Sequence, residues 1–162
     1  MVSCLDLALI LEDFVNTALL IKLACLGALL GIGKAYASKP PASELDKYFK
    51  AYADDPKLAK AVGMVESNLN PNALGDGGKA FGVMQIWYPT AQGHGYSGPS
   101  YGLFNPDVNI YYATKELNHL VRRYGMDKGI MGYNVGETKL RKGISNPTYL
   151  NKVLTQYGRI TI

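Results

Sequence analysis

The sequence predicts a mainly helical domain whose middle is broken into turns and short strands, set behind an apolar N-terminal segment. Three observations predict it. Apolar residues at helical spacing follow Asp55-Pro56, Asn105-Pro106 and Asn146-Pro147, pairs in which a capping side chain and a first-turn proline suit a helix start. Eight of the 18 glycines lie between Asn72 and Gly102, a density that favours turns and short strands over continuous helix. Leu19 to Gly33 is almost wholly apolar, with Lys22 its one charge. A chain of 162 residues, 48% hydrophobic and 19% charged, can bury one sizeable core, so one domain plus a leader is expected.

Residues 1–37 are read as a signal peptide or a membrane anchor, an N-terminal hydrophobic helix in either case. For a signal peptide, Leu23 to Gly33 is the apolar region and Ala35-Tyr36-Ala37 the small-x-small cleavage pattern. For an anchor, Phe14 to Gly33 is long enough to span a bilayer. Both cysteines, Cys4 and Cys25, fall in this segment, and the thiol-free remainder suits a periplasmic setting. Residues 38–56 read as a linker, Lys39-Pro40-Pro41, and a helix capped by Ser43 with Leu45, Tyr48, Phe49 and Tyr52 on one face. Residues 57–162 form the domain proper. Its first helix carries Leu58, Ala61, Val62, Val65 and Leu69 and stops at Asn70-Pro71. After the glycine-rich stretch, helices run from Asn105-Pro106 to about Tyr124, from Lys128 to Val135, and from Asn146-Pro147 to Tyr157, ended by Gly125, Gly136 and Gly158.

Glu66 lies one position past the apolar stripe of its helix and in the last turn. Desolvation and the negative end of the helix dipole both disfavour a carboxylate there. A glutamic acid that keeps its proton near neutral pH can protonate a sugar leaving group. Periodicity alone equally allows a solvated surface glutamate. The chain has 12 tyrosines. Phe81, Trp87, Tyr88, Tyr96 and Tyr101 fall in the glycine-rich stretch, where aromatic faces can stack on pyranose rings. Tyr111, Tyr112, Tyr124, Tyr149 and Tyr157 are assigned to helices and the core. Metal binding is not expected from two unpaired histidines, His94 and His119. No Gly-x-Ser-x-Gly elbow or phosphate loop is present, and no cofactor is expected. The net charge of +4 is scattered, which favours an anionic wall or lipid surface over nucleic acid.

Glu66-Ser67, Gly82-Val83-Met84-Gln85 and Gly132-Tyr133-Asn134, in that order, resemble the signature motifs of the soluble-lytic-transglycosylase family and its goose-type lysozyme relatives. Asn70-Pro71-Asn72-Ala73, Asn105-Pro106 and Tyr149-Leu150-Asn151-Lys152-Val153 extend the resemblance over roughly Leu58 to Tyr157. Val83 replaces the usual leucine and Gly132 the usual alanine. The resemblance implies a mainly α, α+β lysozyme-like fold, with the glycine-rich segment lining a glycan-binding groove. It implies that Glu66 is the sole general acid and base, cutting peptidoglycan between N-acetylmuramic acid and N-acetylglucosamine with formation of a 1,6-anhydro ring. Ser67 would orient Glu66, Met84 would pack beneath the groove, Gln85 would hydrogen-bond the sugar, Tyr133 would bring its hydroxyl close to the Glu66 carboxyl, and Asn134 would hold that wall. Asp76 resembles a water-positioning aspartate of the goose-type enzymes, or is a turn former. A hydrolytic muramidase is therefore the second reading, and a non-catalytic peptidoglycan-binding scaffold the third. The implied partner is the glycan strand, with membrane, virion or secretion-complex contacts assigned to residues 1–37. The implied location is the periplasm, a membrane facing the wall, or a virion.

Overall fold

The computed structural model describes residues 40–162, so the calls on residues 1–37 lie outside the described residues. Helix α1, Ala42–Tyr52, starts directly behind Pro41. Ser43 is therefore inside the first turn and not its cap. Proline at the cap, with φ −51° and ψ 141°, presets the chain's entry, and its carbonyl accepts the Glu44 amide at 2.9 Å. Helix α2, Pro56–Ser67, opens as expected: the Asp55 carboxylate accepts the Leu58 amide at 2.9 Å and Pro56 occupies the first turn. It ends before Asn70-Pro71, because Asn68 and Leu69 both turn left-handed, at φ 53° and 59°. A leucine there is strained. Its return is burial: Leu69 is 2% exposed and its amide bonds back to the Gly63 carbonyl at 3.2 Å.

The glycine-rich segment forms an antiparallel meander of strands β1, Leu74–Gly75, β2, Ala80–Phe81, and β3, Ile86–Trp87. Its register pairs Gly75 with Ala80 and Phe81 with Ile86. Asp76, Gly77 and Gly78 all have positive φ in the first turn. Two helical pieces were not anticipated here, α3, Tyr88–Gly93, opened by Pro89, and a 3-10 turn, Ser100–Phe104. Then come α4, Pro106–Tyr124, capped by Asn105, and α5, Met126–Val135, which starts immediately after Gly125 and not at Lys128. A further short helix, α6, Glu137–Arg141, follows Gly136. Helix α7, Pro147–Arg159, is capped by Asn146 and runs through Gly158, which needs no positive φ there.

Helix α4 packs against α1 and α5, and α2 packs against α7 and α1. Phe49, Val62, Met84, Ile110, Ile130 and Val153 are fully buried between them, each such side chain contributing about 1.5–3 kcal/mol. This places the C-terminal end of α2, the meander and α5 around one another. Among the described residues, no helix is long and apolar enough to cross a membrane.

Candidate active site

Glu66 occupies the last turn of α2, where the stripe that buries Leu58, Ala61 and Val62 gives out. Its carboxyl is largely buried, and that burial pushes it up to about 7 from an ordinary 4.5. The Tyr149 hydroxyl donates to Oε1 at 2.6 Å, which pulls the other way, and the charge of Asp76 adds to the rise. The balance follows from the dielectric: one hydrogen bond stabilises the anion less than lost hydration destabilises it. Oε2 makes no hydrogen bond to a described residue, nor is it among the sealed, unpaired side-chain atoms. Oε2 is therefore the oxygen free of any described partner to carry the proton.

Tyr149 comes from the first turns of α7 and is 6% exposed. Burial and the neighbouring Glu66 charge push its hydroxyl far above the ordinary range, so it remains a donor. Tyr133, on α5, donates to the Met84 carbonyl at 2.9 Å and is also raised, by burial first and then by Glu66 and Glu116. The expected closeness of Tyr133 to Glu66 thus takes the form of charge coupling. The hydroxyl that bonds the carboxyl belongs to Tyr149.

The turn between β2 and β3 is fixed from below by Asn109 of α4, which is fully buried. Its Oδ1 accepts the Met84 amide at 2.9 Å, and its Nδ2 donates to the Phe81 and Leu103 carbonyls at 2.7 and 2.8 Å. Every polar atom of that side chain is satisfied, as burial requires. Gly82 makes the approach possible: its φ is +70°, and an added Cβ would stand 2.5 Å from Asn109 Nδ2 and 2.6 Å from the Leu103 carbonyl oxygen. The hydroxyl of Ser67 donates to the Val83 carbonyl at 2.6 Å and its oxygen accepts the Asn70 amide at 2.9 Å. Ser67 thereby stitches the end of α2 to this turn, so Glu66 and the turn move together.

Met84 lies fully buried beneath. Gln85 has φ 51°, and its side-chain amide donates to the Ala73 and Gly82 carbonyls at 3.0 and 2.9 Å. Its donor hydrogens therefore brace the meander, and only its oxygen is left to accept from a sugar. Asn134 accepts from Asn146 Nδ2 at 2.8 Å, tying the end of α5 to the cap of α7. Asp76 accepts the Trp87 indole N–H at 3.0 Å.

A cleft of about 840 Å³ runs between the meander and the α5–α6 segment, with Asp76, Gln85 and Trp87 on one side and Tyr133, Asn134 and Lys139 on the other. Glu66 does not itself line this volume. Asp76 and Tyr133, which do line it, interact electrostatically with the Glu66 carboxyl. Of the five aromatics expected to stack on sugars, only Trp87, 44% exposed, lines this cleft. Phe81 is core, packed edge-on against Phe104, and Tyr88 and Tyr96 pack against each other. Tyr101 is exposed away from the cleft lining.

Sequence reasoning missed Asn109 altogether and assigned Tyr149 only to the core. The place of Tyr149 three residues past the Asn146 cap, on the face of α7 that packs against α2, was its one available signal.

A helical lobe and a small antiparallel meander thus flank a largely buried acid and a cleft beside it. The family model for the transglycosylase SLT domain matches residues 44–158, and the chain belongs to that family. Among solved structures, the chain is similar to the 70 kDa soluble lytic transglycosylase from Escherichia coli, with 24% identity and a TM-score of 0.52. It is also similar to the complex of the 70-kDa soluble lytic transglycosylase with bulgecin A, with 26% identity and a TM-score of 0.52. Each match covers 70% of this chain and 19% of the other, so this chain spans under a fifth of those relatives' length. Comparison with curated proteins gives no match.

Proposed function

We propose that the chain cleaves the β-1,4 bond between N-acetylmuramic acid and N-acetylglucosamine in peptidoglycan as a lytic transglycosylase. The observation that carries this is the Glu66 carboxyl, pushed up to about 7 by burial, with Oε1 bonded to Tyr149 and Oε2 free of any described partner. Glu66 gives its proton to the glycosidic oxygen as the bond to the anomeric carbon breaks. The substrate's N-acetyl carbonyl oxygen steadies the cationic carbon. Glu66, now a carboxylate, takes the proton of the C6 hydroxyl as that oxygen closes on the anomeric carbon, which yields the 1,6-anhydro ring and returns the acid. A group that titrates near neutrality suits both halves of this cycle. Tyr149 holds the carboxyl in place through each, while Ser67, Met84 and Asn134 keep the surrounding walls in register. Gln85 presents its oxygen, and Trp87 its exposed face, to the sugars.

Asp76 favours a second reading. Its charge reaches Glu66 and it lines the cleft, so a water held by it could replace the C6 hydroxyl and give hydrolysis. Mass spectrometry of products released from purified cell walls decides between them. Anhydro products are lighter by one water than hydrolytic ones, and release by the wild type that vanishes in Glu66→Gln supports either enzyme over a binding scaffold. Bulgecin A, bound by the 70-kDa relative, should inhibit that release if the clefts are alike. In this reading residues 1–37 export or anchor the enzyme at the wall, which it opens locally in phage infection, in a secretion or conjugation machine, or in wall remodelling. Fractionation of cells expressing the full chain, with and without residues 1–37, tests the location.

A further inference from the structure

The charges that line the cleft are not used evenly. Each of its three carboxylates is engaged: Asp76 by the Trp87 indole at 3.0 Å, Glu116 by His94 Nε2 at 2.7 Å, and Glu137 by the Tyr124 hydroxyl at 2.7 Å with Arg123 at 3.4 Å and His119 at 3.6 Å. Lys139 and Lys142 line the same space. Among the described residues, neither lysine side chain has a hydrogen bond, an ion pair or a ring contact. Both are exposed, and they stand three residues apart, at the end of α6 and its cap, the spacing that brings helical neighbours to one face. The cleft therefore offers a ligand two lysine side chains without a partner among the described residues, while each of its carboxylates already holds a hydrogen-bond partner.

We propose that Lys139 and Lys142 form a carboxylate-recognition subsite of the cleft. The proposal rests on the functional reading above for the identity of the ligand: the carboxylates of a peptidoglycan strand, borne on the lactyl ether of muramic acid or on its peptide. A neutral sugar chain has nothing that calls for two unpaired cations on one wall. Contacts of this exposed kind are individually modest and weaken with salt. They favour one class of strand over another more than they raise overall affinity.

The test measures binding in a Glu66→Gln background, where the ligand is not consumed. Three probes are compared: peptide-bearing strand fragments, fragments stripped by an amidase so that only the lactyl carboxylate remains, and neutral N-acetylglucosamine oligomers. Changing both Lys139→Gln and Lys142→Gln should weaken binding about tenfold for one or both carboxylate-bearing probes, and less than about twofold for the neutral oligomer. Which probe responds identifies the carboxylate. The Lys139→Arg, Lys142→Arg variant should retain the preference, and about 1 M salt should abolish it. Equal losses on all three probes, or no lysine-dependent binding of either carboxylate-bearing probe, overturns the subsite. Wall cleavage by the Glu66-intact chain is scored separately. Absent cleavage with a preserved lysine effect sinks the functional reading alone; cleavage without a lysine effect sinks the subsite alone.

Discussion

Glu66 and Glu137 each accept a hydrogen bond from a tyrosine hydroxyl, Tyr149 at 2.6 Å and Tyr124 at 2.7 Å. Yet the fold drives them in opposite directions. Glu66 rises to about 7, because burial outweighs its tyrosine. Glu137 falls below its ordinary value: the Tyr124 bond leads, burial opposes it, and Arg123 and His119 add their attraction. A tyrosine bond alone does not decide whether a carboxyl is an acid or an anion. Burial and nearby cations do, and Glu66 is set apart by being largely buried with no cation among the causes of its shift. The same contrast separates the Glu66 surroundings, where α2 packs against α7, from the α4–α6 junction, where Glu137 meets Arg123 and His119.

The largest effect expected from breaking this contrast is on activity. Glu66→Gln keeps the shape and removes the proton, so wall clearing should fall about a thousandfold or more, read by product release from purified walls. Next is the turn that Ser67 ties to the end of the Glu66 helix. Gly82→Ala places a methyl into Asn109 and the Leu103 carbonyl at a positive φ, and should cost about 3 kcal/mol in urea unfolding.

A third test reads the same burial as stability. The folded pKa of Glu66 lies above its unfolded value, so the folded chain binds the extra proton. The resulting stability is present below about 4.5 and is lost as pH rises through about 7. Glu66→Gln should remove that slope, leaving the variant more stable than wild type above pH 7 by about 2 kcal/mol after discounting for residual exposure.

The smallest effects come from the two tyrosines, and they should differ in kind. The Tyr149 bond lowers the Glu66 pKa, so Tyr149→Phe should move the basic limb of kcat/KM upward by less than about one pH unit. Tyr124→Phe should raise the titration of Glu137, read by carboxyl NMR, and leave that limb in place.

The helix starts were legible because they are local. Asp55, Asn105 and Asn146 each bond an amide two or three residues ahead, a range that a sequence displays directly. The placement of Glu66 at the edge of the stripe was legible for the same reason. Helices α3 and α6 were not, since six and five residues carry too little periodicity to distinguish them from loop. Tyr149 was readable as buried, yet its hydroxyl meets a carboxyl 83 residues away, and no spacing rule reaches that far. Gln85 was expected to address the sugar. Its amide hydrogens are taken up by the Ala73 and Gly82 carbonyls, the first of them 12 residues away, so only its oxygen is left to accept a bond.

The order of residue types along the chain was enough to determine a capped helical framework, the glycine-rich interruption and the acid at the rim of the apolar stripe, since each is set by neighbours within a few positions. Tertiary structure alone decided which hydroxyl holds that acid, that Asn109 anchors the turn beside it, and that Glu66 and not Glu137 keeps its proton. Ionisation depends on the water and charge surrounding a group in three dimensions, and those arrive from segments far apart in the chain.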